Sequence, residues 1–455
     1  MKTSAPSAQA PSLKDQVQWA AQGLQQVAQG QSAREVVAAW PATPVRPGAQ
    51  ALLYTALRHW GQTRALIALL ASKKPQAAVE AYLAVALSLL LAPEGASYAP
   101  FTVVNQTVEA LRRHKKWQAQ AGFVNACLRR FLREREALLA TVDKDVAARS
   151  NHPQWWVDVL RQDHPSQWQD ILAANNARAP LTIRVNTVHI SRDAYLQQLL
   201  SAGLEAQSVL EAGIVLHKAV DVRALPGYQD GWFSVQDAAA QYAASLLLSG
   251  LTAPLAGAAP LLVLDACAAP GGKTAHLAEW AATHGLPIEL VAMDVDGERA
   301  KRIGDNMQRL GFAQQVRIAV ADASQPDDWH TQVLAGRMLD AVLLDAPCSA
   351  AGIVRRHADI RWLRRPQDLD VLVQVQAQIL RRMWALLKPG GRLLYCTCSV
   401  FHREGKDQMQ HFVNQHSDAR QIGDCLQLLP TLPSASGSLA DNHDGFFYGL
   451  LQKAL

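Results

Sequence analysis

Beyond Asp237 the sequence repeats one pattern, a short apolar run followed by a helix-length segment. Apolar runs stand at 261–264, 290–293, 341–344 and 393–395, and Val316-Arg317-Ile318-Ala319-Val320 adds another strand-like stretch. Helical spacing fills about 272–283, 297–310 and 366–387 between them. Continuous apolar runs of this length suit strands covered on both faces, and their alternation with helices implies βαβ crossovers. The prediction is an α/β fold, a doubly wound, Rossmann-like parallel sheet over residues 236–455. Such a sheet holds its ligands just beyond the carboxyl ends of its strands.

The preceding residues read differently. Residues 1–16 are rich in Ser, Ala, Pro and Gln and are expected to form a mobile tail. Residues 17–148 carry apolar positions three and four apart and scarce β-branched alternation, so an all-α domain is expected. Residues 149–235 are punctuated by Pro153, Pro165 and Pro180, with strand patterns at 181–187 and 214–216 and a helix at 193–202. That mixture predicts a small α+β linker domain. With 49% hydrophobic and 18% charged residues, the 455-residue chain excludes a largely disordered protein.

Net charge is +5 overall but unevenly placed. Residues 1–150 hold 18 Lys and Arg against 9 Asp and Glu, a net of +9, while 151–455 hold 26 against 30, a net of −4. The excess clusters at Arg112, Arg113, Lys115 and Lys116, then at Arg129, Arg130, Arg133 and Arg135. A solvated helical surface and a nucleic-acid docking face both fit this asymmetry. The first residues lack the apolar stretch of a secretory leader, and six cysteines do not make a disulfide framework, so a reduced, cytoplasmic setting is expected. The longest uncharged stretch, 242–264, is broken by Gly250, Pro254, Gly257 and Pro260, and is expected to be helix end, loop and strand rather than a membrane span.

Chemistry gathers at the expected strand ends. The first strand runs into Cys267, Ala268, Ala269, Pro270, Gly271, Gly272 and Lys273, a small-residue loop that lets a ligand approach the backbone. It is no phosphate-binding P-loop, because Cys267 stands where the first glycine belongs, and no dinucleotide fingerprint, because only two adjacent glycines are present. A plain structural turn remains open. The second strand ends at Asp294, a position from which an acid can hold a ribose diol. Asp322 follows the third, either as a contact to an adenine amino group or as a helix cap. The fourth ends in Asp345-Ala346-Pro347-Cys348-Ser349 and the next in Tyr395-Cys396-Thr397-Cys398-Ser399. Cys348 and Cys398 follow two strands that can be neighbours; buried inert thiols are the alternative, and the absence of paired ligand spacing speaks against zinc or any other metal.

Together these motifs strongly resemble the RNA 5-methylcytosine methyltransferases. The resemblance takes in the 267–274 loop, both cysteine motifs, Gly352 to His357, Asp359 to Trp362, Arg184 to Thr187, Val235 to Asp237 and the tail Asp444-Gly445-Phe446-Phe447-Tyr448. Phe123 to Phe131 is similar to a NusB-type signature, as in the branch that acts on bacterial 16S ribosomal RNA and carries an N-terminal NusB-like domain. The likeness implies a NusB-like RNA-binding domain over 17–148, a methyltransferase domain over 236–455 and S-adenosylmethionine as methyl donor. It implies 16S ribosomal RNA as partner, met as a monomer at a loop or stem junction with a flipped cytosine and no membrane. Transfer RNA as substrate, and a catalytically silent assembly factor, are the alternatives.

Cytosine C5 is a poor nucleophile until a thiolate adds at C6 and loads electron density onto it, which is covalent catalysis. The resemblance assigns that thiolate to Cys398, assistance in product release to Cys348, and the cytosine N3/N4 edge to Asp345. It implies that Cys267 through Lys273, Asp294, Asp322 and Asp345 line the cofactor. Arg355, Arg356, His357 and Arg361 are expected near the RNA backbone. One departure stands out: after Ser399 the family usually has Pro, two acids and Asn, where this chain has His402-Arg403-Glu404-Gly405.

Overall fold

A computed structural model describes residues 11–91, 98–252, 259–433 and 441–455. The chain divides into two units, one of Met1–Asn176 with Val354–Arg365, the other of Ala177–Ile353 with Pro366–Leu455.

The first unit is helical. Helix Ala77–Leu90 buries eleven of its fourteen residues, so it carries no polar face and serves as the core against which the others pack. Leu13–Ala28, Val45–Arg58 and Trp60–Leu70 turn their apolar stripes onto the same core, as do Pro100–Arg112 and Ala121–Arg133. The first helix starts at Leu13, with Leu13 and Gln16 buried, so the last residues of the stretch expected as a tail belong to this core. Residues 1–10 of that expected tail lie outside the described residues. Helices Gln154–Asp163 and Trp168–Asn176 also belong to this unit, which runs to Asn176.

Segment 354–365 closes the unit. Arg361 is fully buried and donates to the carbonyls of Asn151 (3.1 Å) and Asn175 (2.7 Å). Trp362 donates its indole N–H to Leu57 at 2.8 Å and meets the Trp60 ring edge-on at 5.6 Å. The Asp359 carboxylate accepts the Ala33 N–H at 2.8 Å. The expectation that Arg355 and Arg361 line an RNA surface is therefore corrected, since both side chains are buried and Arg361 is occupied by backbone carbonyls. A buried guanidinium is held where several acceptors converge, and Arg361 knits the helical unit together in this way.

The second unit opens with a four-stranded antiparallel sheet of β1 (Leu181–Val185), β2 (Ala206–Val209), β3 (Gly213–Leu216) and β4 (Phe233–Val235), in the order β2-β3-β1-β4. β2 and β4 escape sequence reading because they are short and β2 is half polar, with only Val209 buried. The main sheet follows: β5 (Leu261–Asp265), β6 (Ile288–Asp294), β7 (Val316–Val320), β8 (Leu339–Asp345), β9 (Leu387–Thr397), β10 (Ala419–Gln421), β11 (Leu426–Leu428) and β12 (Phe446–Lys453). Its order is β10-β12-β9-β8-β5-β6-β7, with β11 paired to β12.

From β9 to β7 the strands are parallel. The order reverses between β5 and β8, the switch point at which doubly wound sheets open a crevice. The helices expected over 272–283 and 297–310 occupy those residues. The sheet is not parallel throughout: β12 runs antiparallel to β9 in the register Phe447↔Thr397. Entering from the opposite end, β12 brings its start beside the carboxyl end of β9, which places the Asp444-Gly445-Phe446 tail at the cysteine loops.

Candidate active site

Two sulfurs meet at the carboxyl ends of β8 and β9. These neighbours are paired Asp345↔Cys396, so the loops leaving them run side by side, and Cys348 Sγ lies 3.4 Å from Cys398 Sγ. Neither cysteine is in a disulfide and neither is fully buried. The hydrogen bond to Cys398, with burial, pushes the Cys348 thiol well above its usual range. Either sulfur can be the donor across this contact.

Backbone contacts stitch the loops: the Ala346 N–H donates to the Cys396 carbonyl at 2.9 Å and Gly352 N–H to the Cys398 carbonyl at 2.9 Å. The Gly352 carbonyl accepts from Gly445 at 2.8 Å, and Asp444 N–H donates to the Asp237 carboxylate at 2.9 Å. These bonds account for three motifs singled out in the sequence, around Asp237, Gly352 and Asp444.

A buried carboxylate joins the residues that follow the cysteines. Glu404 has no exposed surface. One of its oxygens accepts the Ser349 N–H at 2.7 Å and the Gln376 amide at 3.1 Å. The other accepts the Ser399 hydroxyl at 2.6 Å and the Ser349 hydroxyl. Its carbonyl takes the Tyr395 hydroxyl at 2.8 Å. The sequence presents Glu404 only as the surviving acid of a departing motif. The departure at Gly405 is steric, because a Cβ there would lie 2.6 Å from the Phe447 ring.

At the switch point Asp345 meets Lys273, with Nζ 2.7 Å from one carboxylate oxygen and 5.0 Å from the Phe446 ring centroid. Burial works against the Lys273 charge, but Asp345 and nearby Cys396 outweigh it and raise the ammonium above its usual range. The Asp345 side chain is 30% exposed, so a ligand can still reach it. Cys396 is buried, with its sulfur 3.5 Å from the other Asp345 oxygen, and burial pushes its thiol up.

The loop from Cys267 to Lys273 leads from β5 into helix Gly272–Thr283. Gly271 sits at φ 97, where a Cβ would crowd Ile303 at 3.2 Å, so glycine is required on both counts. Ala268 N–H donates to the Met293 carbonyl at 2.8 Å, and Ala269 N–H to Asp294 at 3.2 Å. Asp294 is 3% exposed and also faces Arg299 at 3.2 Å. Asp322 accepts the Ser324 N–H at 2.8 Å and closes a local turn; the next helix is capped by Gln325 instead, so the helix-cap reading of Asp322 is corrected. Burial pushes the Cys267 thiol up, which suits a wall rather than a nucleophile.

Two supports lay beyond sequence reading. Arg184 of β1 pairs with Glu279 through two bonds of 2.8 and 2.9 Å, reaches the Gly272 carbonyl at 3.0 Å and meets Gln236. It fixes the helix into which the loop runs, and the signal was the paired Arg184 and Gln236 motifs. Asp265, at the end of β5, is fully buried; one oxygen accepts the Thr274 hydroxyl at 2.7 Å, the other has no partner, and burial pushes its pKa up to about 7.

The donor set suits S-adenosylmethionine. A nucleoside carrying an ammonium and a sulfonium offers ribose, amino and cationic donors. The strand ends present Asp294, Asp322 and Asp345 as acceptors around a loop of alanines and glycines. Among the described residues, no group of three or more His, Cys, Asp or Glu side chains is placed to hold a metal ion, and no helix is long and apolar enough to cross a membrane.

Comparison with known proteins bears on this geometry. The family described as 16S rRNA methyltransferase RsmB/F matches residues 255–452, its ferredoxin-like domain 152–223, and the NusB family 16–133. Ribosomal RNA small subunit methyltransferase B of Vibrio vulnificus is 39% identical over 357 residues, covering 77% of this chain and 78% of that protein. The protein of the same name from Pseudomonas syringae is 38% identical over 416 residues, covering 89% and 88%. Among solved structures, PH0851 matches with a TM-score of 0.73 at 22% identity over 100% of both chains, a likeness of fold. A methyltransferase homologue from Pyrococcus horikoshii matches with a TM-score of 0.55 at 24% identity, covering 69% of this chain and 99% of that one.

Proposed function

The chain belongs to the 16S rRNA methyltransferase RsmB/F family, and on that premise we propose that it methylates C5 of a specific cytosine in 16S ribosomal RNA through a covalent Cys398–C6 adduct. The observation that carries the proposal is the 3.4 Å approach of Cys348 and Cys398 beside Asp345 at the switch point. S-adenosylmethionine supplies the methyl group when bound. The residues that would hold it are the Cys267–Lys273 loop, Asp294 at the ribose, Asp322 on the adenine side and Asp345 near the methionine part.

The Cys398 thiolate bonds to C6 of the cytosine, and electron density moves to C5. Asp345, steadied by Lys273, contacts the N3/N4 edge and stabilises the charge that develops there. Once C5 carries the methyl group, the C6–S bond breaks as the C5 proton leaves, which restores the aromatic ring. Cys348, in contact with the Cys398 sulfur, gives its proton to that departing sulfur and takes up the C5 proton in its place, so both thiols end protonated. The target base leaves its stack to reach the thiol, so a loop or stem junction is the natural recognition element. The protein acts as a cytoplasmic monomer, and the basic helical region contacts the phosphates.

Bisulfite sequencing of 16S ribosomal RNA from a strain lacking the gene, against a complemented strain, tests the proposal. One cytosine should lose its protection and regain it on complementation; an unchanged pattern refutes the assignment.

A further inference from the structure

We propose that Glu404 is a positioning residue for the cysteine pair, and that its carboxylate sets the approach of Cys348 to Cys398. The inference deepens the function proposed above and rests on it for the roles of the two thiols. Neither cysteine side chain is anchored by a neighbouring strand, because each lies past the end of its strand, Cys348 three residues beyond Asp345 and Cys398 one beyond Thr397. Loops of this kind drift unless something ties them. Beside the backbone bonds between the loops, the side-chain tie is Glu404, which binds Ser349 and Ser399, the residues directly after each cysteine, with a single buried group.

The bonding is complete on both sides. One oxygen holds the Ser349 backbone and Gln376, whose amide also reaches the Pro347 carbonyl at 3.0 Å, so the Cys348 loop is gripped before and after the cysteine. The other oxygen takes both serine hydroxyls, which themselves lie 3.3 Å apart. A fully buried carboxylate with this many donors is fixed in place, since losing any of them leaves a buried polar group unsatisfied. Glu404 touches neither sulfur, so it acts only through the loops, while its charge adds to the rise of the Cys348 thiol.

Phenylarsine oxide reads the geometry directly. It condenses with two adjacent thiols, forming two As–S bonds and releasing one water, and a lone thiol does not retain it. The wild-type protein should take up one arsenical per chain, with Cys348→Ala setting the baseline. Glu404→Ala should slow capture at least about tenfold and lower kcat for rRNA methylation by a similar factor, with affinity for S-adenosylhomocysteine unchanged. Glu404→Gln should restore capture, because the amide oxygen still accepts from Ser349 and Gln376 and the serine hydroxyls can turn to accept from the amide nitrogen. Its kcat against pH should move to lower pH as the charge beside Cys348 is removed. Should Glu404→Ala not fold, the double variant Ser349→Ala with Ser399→Ala removes two ties while leaving the carboxylate, and it should also capture slowly with cofactor affinity intact. Capture at the wild-type rate in Glu404→Ala or in the double variant overturns the inference. Capture is measured without RNA, so a wild-type protein that fails to methylate rRNA counts against the proposed function alone.

Discussion

The cofactor end of the site, at β5, β6 and β7, and the nucleophile end, at β8, β9 and β12, are built by different means. The first is made largely of backbone and small residues: Ala268 and Ala269 donate to the next strand and Gly271 takes a left-handed turn. The second adds a buried side-chain tie, Glu404 joining two loops, to the backbone bonds that link those loops to each other and Gly445 to Gly352. The difference follows from what each end must do. A bound nucleoside needs room and acceptors, which short side chains leave open. Covalent attack needs a sulfur at a fixed place, and a loop past the end of a strand supplies that only when a buried group restrains it. Lys273 and Asp345 join the two ends across the switch point.

Substitutions sharpen or break this contrast. Arg184→Met should act most strongly, at about 3–5 kcal/mol of stability, because it leaves the Glu279 carboxylate buried without its partner. The loss should appear in denaturant unfolding and in weaker binding of S-adenosylhomocysteine, with arsenical capture by the thiols kept in the folded protein. Equal loss at both ends would erase the distinction.

Asp265 gives a pH test of the cofactor end. Its pKa in the folded protein is raised to about 7 by burial from an ordinary 3.8. The folded state therefore binds the proton more tightly than the unfolded one, so the carboxyl's contribution is fully present below about pH 4 and is lost as pH rises through about 7. The span corresponds to about 4 kcal/mol. Asp265→Asn should remove that slope, making the variant more stable than wild type at pH 8 and nearly equal to it at pH 4; parallel curves in urea unfolding would contradict the assignment.

Asp345→Asn should lower kcat about 10²–10³-fold, as loss of one stabilising group in a catalytic site does. It also leaves Lys273 without its counter-charge, so both cofactor affinity and adduct formation should fall, the one substitution to injure both ends. The smallest effect should come from Arg112, Arg113, Lys115 and Lys116, exposed at the end of one helix. Changing all four to Gln should leave kcat at saturating RNA untouched. It should flatten the dependence of log affinity on log salt by roughly 0.7–0.9 for each RNA phosphate that the wild-type side chains neutralise.

The contrast also explains what could be read from the sequence. The central strands announce themselves as apolar runs, and the helices over 272–283 and 297–310 as periodic segments, because burial on both faces of a parallel sheet leaves a strong local pattern. Residues placed by the strand ends, Asp294, Asp345, Cys348 and Cys398, were visible for the same reason. Glu404, Asp265 and the Arg184–Glu279 pair were not seen as supports, because their roles depend on partners up to 95 residues away. Arg355 and Arg361 looked like an RNA-facing cluster, since charge in a sequence gives no hint of burial; the acceptors that hold Arg361 come from residues 151, 175 and 176. The antiparallel β12 was hidden because a strand that pairs antiparallel repeats no βαβ unit.

The central claim is that Cys398 attacks and Cys348 releases. Denaturing electrophoresis of the protein incubated with 16S ribosomal RNA and S-adenosylmethionine tests it most directly. Cys348→Ala should accumulate a protein–RNA band that survives denaturation, whereas Cys398→Ala should form none and lose turnover by several orders of magnitude. A stable band from Cys398→Ala and none from Cys348→Ala would reverse the two roles and contradict the account.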